Sequence, residues 1–302
     1  MNKLNIFVTH VLLLSLFATH SVQSRTINTT LRRSVFNKLV SVKATSAGGL
    51  YENCLKLDIT NNSPDTLLMT VDPAMIFQPD DTNYQDLVTM GTETVPIVPK
   101  ETAKMSVFAY CGKSYARCPA RNMNYTLARR VDSVLVKTMK HMKEQQVSTS
   151  LGQTAVWHFT NRHCLNTVYD HNNPRASEEL VQFIAKERHS KVPDIFTEYE
   201  TSVKPGMPVM VADGKATTYV VVKWKHANAP KHMIVTVLKE NGDVYKRIYG
   251  NDQIDKEGHT VLVAFNSVND IKGVYYVELK GDDGKVWDKQ KVIVGYDPCN
   301  MM

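Results

Sequence analysis

Short β-strand patterns separated by turn sequences fill both ends of this 302-residue chain. Near the N-terminus, residues 55–60 and 67–71 each alternate between apolar and polar side chains, and a dense turn signal lies between them at 61–65. Alternation with a period of two is typical of strands with one buried face, so we expect a hairpin here. Further short strand patterns continue to Cys111, which favours a β-sandwich for this part of the chain.

A second series of strand patterns fills the C-terminal third. Two of them flank Asn241-Gly242, a dipeptide typical of tight hairpin turns. About seven short strands follow one another within about 90 residues, which is the pattern of an immunoglobulin-like sandwich. We therefore expect an Ig-like β-sandwich at 209–298, and we interpret residues 193–208, which Pro and Gly punctuate, as a linker.

Helical periodicity separates the two strand series. Apolar residues recur at helical spacing through residues 126–145, with charged residues on the other face, so we predict an amphipathic helix there. The apolar residues 151–159 form a buried element that is either a strand or a helix. Pro174 stands at the start of another predicted helix, which ends near His189. The predicted fold class is mainly β: a β-rich domain with inserted α-helices at 25–192, followed by the sandwich.

Residues 1–24 have the composition of a secretory signal peptide. Lys3 supplies a positive charge, an apolar stretch follows at 6–17, and small residues precede residue 25. The apolar stretch is too short to span a membrane. No later stretch approaches about 18 apolar residues, so we expect no transmembrane segment in the mature chain. We predict an extracytoplasmic protein, whether periplasmic, on the outer surface or secreted.

The charge balance excludes one class of partner. The formal net charge is +6 at pH 7, and the basic residues are scattered rather than gathered in a patch. Short pairs such as Arg32-Arg33 are typical of a solvated surface, so we do not predict nucleic-acid binding.

The cysteines allow several kinds of chemistry. The sequence has five of them, and this odd number leaves at least one thiol unpaired or modified: Cys54, Cys111, Cys118, Cys164 and Cys299. Disulfides are permitted outside the cytoplasm, and the simplest one joins Cys111 to Cys118 across a short loop. A buried free thiol at Cys111 is the alternative. No Cys-x-x-Cys pair or zinc-type spacing occurs, so we predict no metal site and no cofactor.

The C-terminal strand patterns carry a family resemblance. The segments 235–242, 273–279 and 289–294 resemble the Ig-like modules that end many exported proteins of Bacteroidetes-type bacteria, and those of flagellar hook-capping proteins. Modules that act as sorting tags usually stop at the last strand, whereas residues 295–302 extend beyond it here. The resemblance implies an Ig-like fold and an exported protein, and it does not extend to a sorting role.

A second resemblance concerns the N-terminal domain. Tyr110-Cys111 at a strand end and Gln153 followed by Trp157 are similar to the motifs of thioester domains in bacterial surface adhesins, with Gly152 in place of the usual apolar residue before the glutamine. The resemblance implies an internal thioester between Cys111 and Gln153. From the residues alone, a buried glutamine is an amide that needs hydrogen-bond partners.

A third interpretation is a cysteine-dependent enzyme. Nucleophilic catalysis needs a thiolate beside an imidazole that a third polar group orients, and suitable residue types lie close together in the sequence: His158, Asn161, His163 and Cys164. No cysteine-protease signature surrounds Cys111, Cys118 or Cys164, and the chain contains no Gly-x-Ser-x-Gly, Walker or His-Glu-x-x-His motif, so we predict no catalytic residues.

The function that these observations favour is that of an exported, non-enzymatic binding or cell-envelope protein. Its expected partner is a protein or a glycan at the cell envelope, bound by loops at the ends of the sandwiches. The alternatives are a surface adhesin with an internal Cys111–Gln153 thioester and a cysteine-dependent enzyme.

Overall fold

The computed structural model describes most of the chain after the predicted signal peptide. The described residues are 25–49, 52–92, 94–128, 132–202, 210–224, 233–249, 259–266, 270, 272–281 and 283–294. The predicted signal peptide at 1–24 and Cys299 lie outside them. The described residues form a mainly β structure with a few helices, which confirms the predicted fold class.

In the first part of the chain, the described residues form ten strands and one short helix. The strands are β1 (Thr26–Thr30), β2 (Val40–Ser46), β3 (Leu55–Asn61), β4 (Thr66–Thr70), β5 (Ile76–Pro79), β6 (Leu87–Thr89), β7 (Val95–Ile97), β8 (Thr102–Val107), β9 (Ala109–Cys111) and β10 (Asn124–Leu127). Helix α1 (Leu31–Phe36) connects β1 to β2. One sheet has the order β1-β4-β7, and the larger one has the order β8-β3-β2-β10-β5-β6-β9. Leu57 and Ile59 of the larger sheet and Leu67 of the smaller sheet are buried in one core, so the two sheets form a sandwich.

The hairpin predicted from residues 55–71 is wrong, because β3 and β4 belong to different sheets. The turn between them contains Asn61, whose side chain is fully buried. Its Nδ2 donates to the carbonyls of Asp65 at 2.7 Å and Ile97 at 2.9 Å, and its Oδ1 accepts from Ser63 N at 2.9 Å. These bonds hold a turn that carries the chain across the core from one sheet to the other.

Three longer helices follow the first sandwich: α2 (Ser133–Glu144), α3 (Thr149–Asn161) and α4 (Pro174–Arg188), with a 3₁₀ turn at Leu165–Thr167. The start predicted for the first is wrong, because residues 124–127 form β10 and the helix begins only after Asp132. The carboxylate of Asp132 accepts from the backbone N–H groups of Val134 and Leu135, as a helix N-cap does. The ambiguous run at 151–159 is helical. The predicted start at Pro174 is confirmed.

Seven strands complete the described chain: β11 (Ile195–Ser202), β12 (Met210–Trp224), β13 (Met233–Lys239), β14 (Val244–Tyr249), β15 (His259–Asn266), β16 (Gly273–Gly281) and β17 (Val286–Val294). They form two sheets, β11-β12-β15 and β14-β13-β16-β17, around one apolar core. The linker predicted at 193–208 is wrong in its first half. Residues 195–199 pair with β12, and Phe196 buries its ring, so this segment is the first strand of the second sandwich.

The helices form a layer with its own core. Leu135, Val156 and Ile184 belong to one buried cluster with Tyr110 of the larger N-terminal sheet and with Phe196 of β11. The same helical layer therefore packs against strands of both parts of the chain, which places the ends of α2, α3 and α4 beside the strand edge at β6 and β9.

Candidate functional site

The structure brings together Cys111 and Gln153, although 42 residues separate them in the chain. Gln153 lies on α3 with 3% of its surface exposed. Its Oε1 accepts from Cys111 N at 3.0 Å, and its Nε2 donates to Cys111 O at 2.7 Å. Cys111 ends β9, the outermost strand of the larger sheet, so the amide of Gln153 occupies the position that a further strand would take.

This arrangement bears on the predicted thioester. Side chains on a strand stand roughly perpendicular to the direction of its backbone hydrogen bonds. An amide that bonds both backbone groups of Cys111 therefore lies beside the strand, whereas the Cys111 side chain is buried in the core of the sandwich. The thioester between Cys111 and Gln153 stays a prediction from the resemblance.

Three thiols lie in the core of the N-terminal sandwich. Cys54, Cys111 and Cys118 are buried free cysteines, so the structure does not contain the predicted disulfide between Cys111 and Cys118. Backbone hydrogen bonds fix the loop between these two cysteines. Gly112 N donates to the Asp86 carbonyl, and Arg117 N donates to the Asn83 carbonyl, so both ends of the loop are tied to the segment before β6.

Burial determines the chemistry of these thiols. Burial raises the pKa of Cys54 to about 12, and burial together with the neighbouring Cys54 and Cys118 raises the pKa of Cys111 well above its usual value. The thiolate is the nucleophilic form of cysteine, so protonated thiols in an apolar core are poor nucleophiles.

The end of α3 fixes the loop that follows β9. Asn161 Oδ1 accepts from Ser114 N at 3.1 Å, and Asn161 Nδ2 donates to the Gly112 carbonyl at 2.8 Å. The Ser114 hydroxyl and His163 Nε2 are 2.8 Å apart. Three hydrogen bonds thus hold residues 112–114, and the loop presents Lys113 to the space beside the helix ends.

That space is a cleft of about 1020 Å³, at the upper end of the usual range for small-molecule sites. Strands β5 and β6, the loop after β9, the start of α2 and the ends of α3 and α4 enclose it. Its apolar wall consists of Ile76, Val88, Val134, Leu135 and Phe159. Its polar lining includes Asp86, Lys113, Tyr115, Asp132, His158, Arg162, His163 and Arg188.

The charges of the cleft are partly paired. Lys113 Nζ lies 2.8 Å from Asp86 Oδ1, and Arg188 lies 2.8 Å from Asp132 Oδ2. The guanidinium of Arg188 also covers the Phe159 ring at 4.8 Å. Arg162 is exposed and forms no ion pair with the described residues. Three cations thus face two carboxylates, and the lining has a net positive charge.

His158 adds a neutral hydrogen-bond acceptor. Burial lowers its pKa, and its Nδ1 lies 2.6 Å from the His163 carbonyl. A carbonyl only accepts, so Nδ1 carries the proton, and the second ring nitrogen, Nε2, keeps its lone pair. His158 therefore offers an acceptor to the cleft beside the cations.

The residues of the predicted cysteine enzyme are only partly brought together. His158 and His163 line the cleft, and Asn161 holds its loop, but the buried thiols of Cys111 and Cys118 point into the sandwich core. Sequence reasoning did not single out Lys113, Arg162 or Arg188. Each lies at the end of a different element and belongs to no local motif.

The state of the three core thiols is a testable prediction. At neutral pH, iodoacetamide should leave Cys54, Cys111 and Cys118 unmodified in the folded protein, because burial keeps these thiols protonated. After unfolding without reductant, it should alkylate all three, because they are free thiols. Peptide mapping by mass spectrometry measures this. A Cys111 that is blocked in the unfolded protein, with a mass short by one ammonia, would instead establish the thioester. Rapid labelling of folded protein would favour the enzyme.

Among the described residues, no helix combines the length and the apolar character that crossing a membrane requires. Comparisons with other proteins leave the family open. No protein-family model matches the chain, and no curated protein and no solved structure matches it.

Proposed function

We propose that the protein is an exported binding protein that holds a small amphipathic anion in the cleft between the sheet edge and the helix ends. The export rests on the signal-like residues 1–24. The ligand class follows from the lining of the cleft, and the thioester adhesin and the cysteine enzyme remain the alternatives.

One observation carries the proposal: an apolar wall and a cationic rim share one cleft. Ile76, Val134 and Phe159 are partly exposed and line the cleft, so they offer it a hydrophobic surface. Lys113, Arg162 and Arg188 line the same cleft. Binding sites for small molecules are mostly apolar, with a few polar groups that orient the ligand. An aromatic or aliphatic body with one carboxylate, sulfonate or phosphate group matches both parts.

The fixed geometry of the rim favours recognition. Asn161 and His163 hold the loop that carries Lys113, and Asp132 pairs with Arg188. A ligand that meets groups already in place loses less conformational entropy on binding. Arg162 is the cation without an ion-pair partner among the described residues, so we assign it the main contact with the anion.

Among the described residues, no activated nucleophile lines the cleft, and this favours binding over catalysis. The thiols of Cys54, Cys111 and Cys118 have raised pKa values and lie in the core. Ser114 pairs with His163, as a serine nucleophile would. However, Gly112, Lys113 and Tyr115 of this loop line the cleft, and Ser114 does not.

A fluorescence titration with 8-anilinonaphthalene-1-sulfonate, an aromatic body with one sulfonate, tests the proposal on the mature chain. We expect saturable binding that weakens about tenfold in Arg162→Glu, which corresponds to about 1.4 kcal/mol. Ser133→Trp should also weaken it, because Ser133 lines the cleft at the exposed start of α2. Added salt should weaken binding in the wild-type protein more than in Arg162→Glu.

The matched control is Arg33→Glu. Arg33 is an exposed arginine on α1 that does not line the cleft, so the same charge change there should leave the dissociation constant unchanged. Equal weakening by Arg33→Glu and Arg162→Glu, or no effect of either cleft variant, would place the probe elsewhere and would contradict the proposed site.

A further inference from the structure

A second cluster of polar side chains lies outside the cleft, where the helical layer meets the second sandwich. Asp170 and His171 lie between the 3₁₀ turn and α4, and Glu198 lies on β11. Each offers one nitrogen or oxygen ligand atom, and the three atoms lie within 4.8 Å of one another. His171 Nδ1 is 2.8 Å from Glu198 Oε2. These residues come from two separate segments, and their side chains converge on one point.

Hydrogen bonds fix the orientation of Asp170. Its Oδ2 accepts from Ser148 Oγ and Ser150 Oγ, both at 3.0 Å, and from Asn173 Nδ2 at 3.1 Å. Its Oδ1 accepts from Asn172 N at 3.0 Å. Oδ1 has one donor and keeps a lone pair for a further partner.

His171 and Glu198 orient each other through their 2.8 Å contact, and an aromatic ring supports His171. The His171 ring stacks on the Tyr219 ring, with centroids 5.9 Å apart and planes 8° from parallel. Groups that ligate metals are commonly oriented by such outer contacts, which hold the ligand atoms in place before the ion arrives.

A buried hydroxyl beside the cluster has no partner. Tyr169 is 2% exposed, and its hydroxyl oxygen makes no hydrogen bond among the described residues. The Tyr169 ring stacks on the Phe196 ring of β11 with centroids 4.7 Å apart, and it lies 5.2 Å from the Tyr219 ring, which in turn stacks on His171. A buried polar atom without a partner requires an explanation, and water on a bound metal ion would supply one.

We propose that Asp170, His171 and Glu198 bind a divalent transition-metal ion, of which Zn²⁺ is the best match. One imidazole nitrogen and two carboxylate oxygens are borderline ligands of the kind that Zn²⁺ accepts. Three protein ligands leave a coordination position for water, for which the unpartnered Tyr169 hydroxyl would be a hydrogen-bond partner. The sequence predicted no metal, because the ligands follow no short-range spacing.

The position of the site has a mechanical consequence. Asp170 and His171 belong to the helical layer, whereas Glu198 belongs to the first strand of the second sandwich. A bound ion would link these two parts of the fold. Metal binding should therefore stabilise the folded protein by mass action as well as occupy the site.

Calorimetric titration of the mature, untagged, metal-free protein with Zn²⁺ tests the site. We expect one equivalent to bind and the melting temperature to rise. His171→Ala and Glu198→Gln should each weaken binding at least tenfold and remove the thermal shift. Glu178→Gln and His189→Ala are the matched controls and should bind as the unmodified protein does.

Co²⁺ absorption separates this site from the core thiols. Ligation by nitrogen and oxygen gives visible bands without the near-ultraviolet charge-transfer band of a cobalt thiolate. A thiolate band would place the ion at Cys54, Cys111 and Cys118 and would overturn the proposal. So would the absence of stoichiometric binding, or binding that both His171→Ala and Glu198→Gln leave unchanged while circular dichroism shows them folded.

Discussion

Replacement of Gln153 by leucine is expected to lower the free energy of unfolding by about 4 kcal/mol, because each buried polar group left without a partner costs about 1–3 kcal/mol. The backbone N–H and C=O of Cys111 would both lose their partner, since Gln153 Oε1 and Nε2 satisfy them at 3.0 and 2.7 Å. Leucine fills a similar volume, so the loss reports hydrogen bonding rather than a cavity.

Denaturant unfolding followed by circular dichroism measures this loss. Gln182→Leu on α4 is the matched control, since Gln182 is exposed and its replacement should change stability by less than about 0.5 kcal/mol. Gln153→Glu adds a second arm. A carboxylate there would face the Cys111 carbonyl without a proton to donate, and burial would raise its pKa, so the variant should recover stability as the pH falls. A loss below about 1 kcal/mol in Gln153→Leu would mean that another group satisfies Cys111.

The sequence predicted the strands of the N-terminal sandwich better than their pairing. Alternation of apolar and polar residues indicates which face of a strand is buried, and the buried residues of β3 and β4 alternate as this pattern predicts. Their assignment to different sheets depends on the buried Asn61, whose amide reaches Ile97, 36 residues further along the chain. A contact at that separation leaves no local trace, so the turn signal at 61–65 reads as a hairpin.

Two boundary errors have a common cause. The helical spacing predicted at 126–145 merges β10 with α2, since apolar residues of a strand and of the next helix can fall at the same intervals. The prolines around residues 193–208 similarly conceal β11, although Pro193 only precedes the strand. In both cases the secondary structure depends on pairing with a distant strand, which the local pattern does not show. Strand β10 pairs with β5, and strand β11 pairs with β12.

The candidate sites show the same limit. The resemblance to thioester domains implies a bond between the Cys111 and Gln153 side chains, whereas the structure shows the Gln153 amide bonded to the Cys111 backbone. The cleft cations Lys113, Arg162 and Arg188 follow β9, α3 and the last turn of α4, and only the packing of the helical layer brings them together. The ligands of the proposed metal site lie on two separate segments, so a search for short-range ligand spacing does not find them.

The substitution Gly152→Ala is expected to destabilise the fold by about 2–3 kcal/mol, the upper range for an overpacked core. A Cβ at Gly152 would lie 2.3 Å from Tyr110 Oη, 2.7 Å from Tyr110 Cζ and 2.9 Å from Met142 Cε. Tyr110 and Met142 are buried, so neither side chain has free space to move into. The glycine thus permits the close approach of α3 to β9 that the amide of Gln153 requires.

A double-mutant cycle with Tyr110→Phe tests this explanation. Removal of the hydroxyl eliminates the closest overlap, so Gly152→Ala should cost at least about 1 kcal/mol less in the Tyr110→Phe background, which is a coupling typical of residues in contact. Gly273→Ala is the matched control, because a Cβ there meets no atom within 4 Å. Equal costs of Gly152→Ala in both backgrounds would show that the Tyr110 ring or Met142, rather than the hydroxyl, sets the distance between α3 and β9.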